Sequence, residues 1–288
     1  MSARPKILIY RGGALGDVLM ITPLVKQVYL NYNGNCEIYV QTGAPDVFKN
    51  NPYVAGVNPT DQHFDVVYNM AFGYENLPST HAVIAYGKTA FGDAIALSDT
   101  SLMLYPDDAD KAKIDALGYS NYIVVHMRQH NWPSRNLKIE FYQQMLDKIL
   151  STTDVTVIQV GGEHEVAFTG NTKLRVDLGK YSIHELYCLI DGAKAFIGID
   201  GGLIHVAACT NTPLLSFFTS CKSDYRKPLK DTIKFYPMTA NIDCYGCQEH
   251  LPAPCTEFVC KKETVPCIDS FNADMVAETL CQALANGK

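Results

Sequence analysis

Two aspartates in this chain stand in turns of a kind that holds ligands. Asp17 closes the turn Gly12-Gly-Ala-Leu-Gly-Asp17, which follows the apolar run Lys6-Ile-Leu-Ile-Tyr10. Glycine lets the backbone fold tightly, and the first amides of a following helix point at any anion placed there. Gly13 and Gly16 would supply that backbone. Asp17 itself either caps the helix or serves as a general base at the carboxyl end of a strand, where open α/β sheets hold their ligands. The glycines are out of register for G-x-G-x-x-G, which speaks against a dinucleotide turn. The second turn, Asp200-Gly-Gly-Leu-Ile-His205, repeats the arrangement. The amides of Gly201 and Gly202 suit a diphosphate, and His205 lies one helical turn on, within reach of the same anion. Asp200 as a simple cap and His205 as a core histidine are the alternatives.

Two further segments carry charge after strand-like runs. His126 to Arg135 holds Arg128 and Arg135, whose guanidinium forks match phosphate oxygens. Gly161-Gly-Glu-His-Glu165 offers Glu163 as an acceptor for ribose hydroxyls. The cysteines divide into two groups. Cys36, Cys188, Cys209, Cys221 and Cys281 are scattered and read as small core hydrophobes. Cys244, Cys247, Cys255, Cys260 and Cys267 crowd together, with Cys244 and Cys247 forming a C-x-x-C. Four thiolates, Cys244, Cys247, Cys260 and Cys267, would make a closed structural metal site, with Cys255 as a spare. Free thiols or a disulfide are the alternatives. Such a closed site has no open position, so the metal would be structural and remote from the reacting groups.

The elements that must position these groups follow from periodicity. Lys6–Tyr10 and Glu37–Gln41 read as strands, Asp65–Tyr68 and His81–Ala85 as weaker ones. Val18 to Leu30 has helical spacing, with Pro23 early in the helix. Asp107 and its neighbours cap a short helix that Gly118 ends. The pattern then restarts. Tyr122–His126, Val155–Val160, Ala195–Gly198 and Pro213–Phe218 are strands. Ile139–Leu150, Leu203–Cys209 and Asn272–Ala285 are helices, as is the run after Ser182, opened by a Ser182/Glu185 capping box. After Asp231 the pattern decays into loop. Two βαβ series imply two parallel sheets covered by helices, divided as 1–117, 118–270 with a Cys-rich loop 243–269, and a final helix within 271–288. A chain of 288 residues, close to half hydrophobic, suits two domains. A net charge of −6 does not favour nucleic acid or an anionic membrane. Neither a signal peptide nor a run of ~20 apolar residues is evident, so a cytoplasmic protein without a transmembrane segment is expected.

Taken together, Gly13-Ala-Leu-Gly-Asp-Val-Leu-Met-Ile-Thr-Pro-Leu24, Trp132-Pro-Ser-Arg135, Gly162-Glu-His-Glu165 and Asp200-Gly-Gly-Leu-Ile-His-Val-Ala-Ala208 resemble glycosyltransferase family 9, the ADP-heptose:lipopolysaccharide heptosyltransferases. The resemblance runs from about Lys6 to Leu280. It implies a GT-B fold, two Rossmann-like domains facing across a cleft, and inverting transfer without a catalytic metal or other catalytic cofactor. It implies Asp17 as base, and Asp200, Gly202 and His205 as holders of the donor diphosphate, with Gly201 replacing a usual Ser or Thr. Arg135 is the nearest match to a basic residue at the donor, where Lys is usual, and Glu163 matches a carboxylate near its nucleoside. The donor would be a nucleotide-sugar, ADP-heptose by resemblance, and the acceptor a glycan, lipid or protein. Some related heptosyltransferases bind iron through similar cysteines, so the metal would be zinc or iron. With the base in one half and the diphosphate site in the other, domain closure is expected. A non-catalytic binder on the same fold is the competing reading. A nicotinamide-dependent epimerase or dehydrogenase is weaker, lacking the glycine fingerprint and a Tyr-x-x-x-Lys pair.

Overall fold

A computed structural model describes residues 4–127, 132–170, 172–249, 260–262 and 264–286. The first sheet holds β1 (Lys6–Arg11), β2 (Glu37–Thr42), β3 (Gly56–Val57) and β4 (Val66–Asn69), in the order β3-β2-β1-β4. The second holds β5 (Tyr122–His126), β6 (Thr156–Val160), β7 (Leu174–Val176), β8 (Phe196–Ile199), β9 (Leu214–Phe218) and β10 (Phe235–Thr239), in the order β10-β9-β8-β5-β6-β7. Every pairing is parallel. Counted from its own first strand, each sheet reverses direction between its first and fourth strands, as in Rossmann-type sheets. The crevices at those reversals lie beyond the carboxyl ends of β1 and β4 in one half and of β5 and β8 in the other. Asp17 follows β1, Arg135 follows β5 and Asp200 follows β8, so topology alone aims all three at the crevices.

The helices are α1 (Leu15–Leu19), α2 (Thr22–Asn31), α3 (Ala82–Phe91), α4 (Asp108–Asp115), α5 (Ile139–Thr152), α6 (Ile183–Gly192), α7 (Gly202–Ala207) and α8 (Ala273–Asn286). Three departures from the sequence reading have plain causes. The helix expected over Val18 to Leu30 is broken into α1 and α2. Pro23 has no N–H and its ring crowds the carbonyl four residues back, that of Leu19. The Thr22 hydroxyl takes over that carbonyl at 2.8 Å, and its oxygen accepts the Met103 N–H at 3.1 Å. The strand expected over His81–Ala85 is the start of α3. His81 caps it, its Nδ1 accepting the Val83 N–H at 3.3 Å, and Gly92 ends it at φ 67°. Short apolar runs do not separate strand from helix by period. The loop expected after Asp231 contains β10, an edge strand whose Pro237 obscured it; proline is tolerated at an edge.

The core crosses the whole molecule. One cluster joins Ile7, Ile9, Val18 and Leu24 of the first half to Val124, Leu189, Ile190 and Ile204 of the second. The opposite face of the second sheet, through Ile123, Val125 and Phe217, packs on α5 and on Val276, Leu280 and Ala283 of α8. The final helix is therefore part of the second half's core. Among the described residues, no helix is long and apolar enough to cross a membrane.

Candidate active site

The halves meet at α1 and α7. A Cβ on Gly16 would lie 2.8 Å from His205 Cδ2, and one on Gly202 would lie 3.2 Å from Leu15 Cβ. A larger residue at either position would press on the facing side chain. The contact leaves beside it a cavity of about 490 Å³, lined from the first half by Asp17, Met20, Phe72, Tyr74 and Glu75 and from the second by Trp132, Arg135, Asp200, His205 and Arg226. Asp17 from the first half and Asp200 and His205 from the second thus line one cavity.

Asp17 sits in the first turn of α1, behind an N-cap that is Ala14, not Asp17 itself. Its Oδ2 accepts the Ala14 N–H at 3.3 Å and lies 3.4 Å from Arg11 Nη2. Its Oδ1 accepts the Tyr74 hydroxyl at 3.0 Å. Burial, then the neighbouring Asp17 carboxylate, push the Tyr74 phenol well above its ordinary range, so it stays a donor. Arg11 also donates to Glu75 Oε1 at 2.8 Å. Burial opposes its charge, but Tyr86, Asp17 and Glu75 outweigh that and hold the guanidinium firmly protonated. The carboxylate is thus fixed at both oxygens and remains open to the cavity.

Across the cavity, Arg135 stacks over the Trp132 ring at 3.8 Å. It lies 3.2 Å from Asp200 Oδ2 and donates to Cys221 Sγ at 2.9 Å. Burial works against its charge, and Asp200 and Cys221 more than compensate. His205 is pushed down to about 4, chiefly by burial, with Asp200 opposing and Arg226 assisting. It is a neutral imidazole near pH 7, a hydrogen-bonding group and not a cation. Arg226 lies over the Tyr74 ring at 4.7 Å and supplies a second positive charge. Gly201 and Gly202 begin α7 and line the same space.

Of the residues singled out in the sequence, Gly16, Asp17, Arg135, Asp200, Gly201, Gly202 and His205 come together here. Gly13 shapes the turn at φ 107°. Arg128 lies outside the described residues. Glu163 does not line the cavity; its side chain is 75% exposed and pairs with His164 at 3.2 Å. Glu165 turns inward instead, its Oε1 accepting the Gly162 N–H at 3.1 Å and lying 3.4 Å from His126 Nε2. Arg11, Tyr74, Glu75 and Arg226 were not foreseen. Tyr74 and Glu75 follow β4, which read as a weak strand, and a strand beside β1 at the reversal would have pointed to them. Arg226 carried no sequence signal.

The cysteine-rich segment lies close to this site. Gln248 Oε1 accepts from Ser220 Oγ at 2.8 Å and lies 3.8 Å from Cys221 Sγ, the sulfur that contacts Arg135. The Gly246 and Gln248 N–H groups donate to the Thr219 and Ser220 carbonyls at 3.1 and 2.9 Å. These contacts join the segment to the wall of the cavity through Cys221 and Arg135. Cys244 and Cys260 both lie near Lys262. Among the described residues, no three His, Cys, Asp or Glu side chains gather as a cation ligand set, and Cys255 falls outside them.

Two Rossmann-like halves with a polar cavity between them define the GT-B fold of glycosyltransferases. The model of glycosyltransferase family 9 (heptosyltransferase) matches residues 112–256, and the chain belongs to that family. Lipopolysaccharide heptosyltransferase 3 of Escherichia coli K12 is 29% identical over 147 residues, 47% of this chain but only 42% of that protein. The chain therefore matches less than half the length of this curated relative. A family 9 glycosyltransferase structure from Veillonella parvula superposes with a TM-score of 0.78 at 13% identity, covering 99% of both chains. The dodecameric iron-containing heptosyltransferase TibC in complex with ADP-D-beta-D-heptose gives 0.71 at 14%, covering 99% of this chain and 78% of the other. At these identities the structural likeness speaks for fold.

Proposed function

We propose that this chain is an inverting glycosyltransferase that moves a heptose or related sugar from a nucleoside-diphosphate donor, ADP-heptose, to an acceptor hydroxyl. The observation that carries this reading is the single cavity shared by Asp17 from one half and Arg135, His205 and Arg226 from the other. Asp17 takes the acceptor's hydroxyl proton while that oxygen forms a bond to the anomeric carbon. The bond from that carbon to the diphosphate oxygen breaks on the opposite face, and ADP leaves with the electron pair. Charge developing on the leaving diphosphate faces Arg135 and Arg226, the amides of Gly201 and Gly202, and a hydrogen bond from neutral His205. The ADP-heptose complex of TibC and the family match support the donor.

The test is a pair of measurements on purified protein. ADP should bind in a calorimetric titration, and NAD should not. With ADP-heptose as donor, Asp17→Asn should lose turnover by about 10² or more, the scale of a general base, and keep ADP affinity near wild type. Near-normal turnover in that variant returns Asp17 to a helix-capping role. We further propose that Cys244, Cys247, Cys260 and Cys267 hold a structural zinc or iron. The C-x-x-C spacing supports this. Elemental analysis of tag-free protein should find about one such ion per chain, as one closed site requires. Metal-free protein with every cluster thiol reactive to a thiol reagent in the native state excludes it.

A further inference from the structure

Arg226 belongs to the second half of the chain, yet the first half holds it from two sides. The Tyr74 ring lies 4.7 Å from its guanidinium. One residue on, the Lys227 carbonyl accepts the His81 Nε2–H at 2.8 Å. The turn that carries Arg226 is tight: the Arg226 and Lys227 N–H groups both donate to Ser223 O, at 3.0 and 2.7 Å. A tie at the Lys227 carbonyl therefore restrains the backbone from which the Arg226 side chain leaves. The guanidinium donates from Nη1 to the Tyr225 carbonyl at 3.0 Å, and Arg226 lines the active-site cavity.

His81 is committed to this one bond. Its Nδ1 accepts the Val83 N–H at 3.3 Å, as the cap of α3. The one proton of the neutral ring therefore stands on Nε2 and points at Lys227 O. Burial, with the Arg226 charge assisting, pushes the imidazole down to about 4, so it is neutral near pH 7. His81, His205 and Arg226 line a second cavity of about 10 Å³, and His205 and Arg226 also line the active-site cavity. His81 thus stands one layer behind the groups that face the diphosphate, and it comes from the other half of the molecule.

We infer that His81 is a positioning residue for Arg226: through the Lys227 carbonyl, the first half sets the aim of an arginine that the second half supplies to the donor diphosphate. This rests on the glycosyltransferase reading above and deepens it. Donor binding then depends on how the halves are docked, because parting them takes both the His81 tie and the Tyr74 ring away from Arg226.

The test uses the full chain and ADP, read by calorimetric titration. His81→Asn puts an amide where Nδ1 stands, keeps the cap of α3 and cannot reach the Lys227 carbonyl. It should weaken ADP binding about three- to tenfold, the scale of one hydrogen-bonded support to a charged group. His81→Gln puts its amide N–H where Nε2–H stands and should bind ADP within about twofold of wild type, although it gives up the cap. Arg226→Met should weaken ADP binding about tenfold or more. In that background His81→Asn should add less than about a twofold loss, because the group it acts through is gone. A histidine that merely supports the interface would produce the same fold loss with and without Arg226. Wild-type affinity in His81→Asn or in Arg226→Met, a loss in His81→Gln as large as that in His81→Asn, or equal losses with and without Arg226 overturns the inference and leaves the donor reading standing. Failure of the wild-type chain to bind ADP overturns the donor reading, and this inference with it.

Discussion

A carboxylate that must remove a proton has to be held still without being covered. Asp17 meets both demands, because its partners approach from the protein side and leave the cavity side open. Tyr74 is the neutral member of that set. Tyr74→Phe removes the bond to Oδ1 and keeps the ring under Arg226. We expect turnover to fall about five- to tenfold, the worth of one hydrogen bond in the transition state, with ADP affinity unchanged. Equal loss in both quantities would assign Tyr74 to donor binding instead. His205 sets a pH dependence of stability. Its folded pKa, pushed down to about 4, lies below the ordinary value of 6.5, and His81 behaves alike through burial. Between these values the unfolded chain binds protons that the native one refuses, so stability rises with pH through that window and is lost as pH falls from 6.5 towards 4. Thermal midpoints should drop across this range, and His205→Gln should flatten part of the slope. Asp17, Asp200 and His205 were legible in the sequence because each follows a strand at a glycine-rich turn. Arg11, Tyr74, Glu75 and Arg226 were not, because what unites them is a cavity wall built from three distant stretches of chain, which no local spacing records.

At the level of elements, short segments decide where chemistry sits. The break forced by Pro23 between α1 and α2 keeps α1 to about one turn and a half, and its first residues, Leu15 and Gly16, meet α7. The proline was visible in the sequence, but its consequence depended on Thr22 and Met103, the latter far along the chain. The cysteine-rich segment acts through contact. Gln248 braces Ser220 and Cys221, and Cys221 braces Arg135. Cys244→Ser with Cys247→Ser, or Gln248→Ala alone, should therefore weaken ADP binding by several-fold, consistent with loss of one hydrogen-bonded support. Calorimetric titration checks this, and wild-type affinity in both variants would detach the segment from the donor site. The spacing of the cysteines did not record these contacts, which depend on β10 pairing with β9 and on the Gly246 and Gln248 amides reaching Thr219 and Ser220 just beyond β9.

At the scale of the whole molecule, two Rossmann-like halves suggest two bodies, yet the apolar residues of both belong to one cluster. In many chains of this length each domain melts by itself, and heating gives two overlapping heat-absorption peaks. Here Val18, Leu19 and Leu24 pack in the same cluster as Val124, Leu189 and Ile204, so unfolding either half strips apolar cover from the other. We therefore expect the chain to unfold as a single cooperative unit. Scanning calorimetry should show one endotherm whose calorimetric and van't Hoff enthalpies agree, and a stretch ending near residue 117, expressed alone, should fail to give a folded product. Two resolved endotherms would show that the shared cluster couples the halves only weakly. The glycines at positions 16 and 202 then have a meaning beyond the cavity they border. They let the two halves come close enough for each to cover apolar surface of the other.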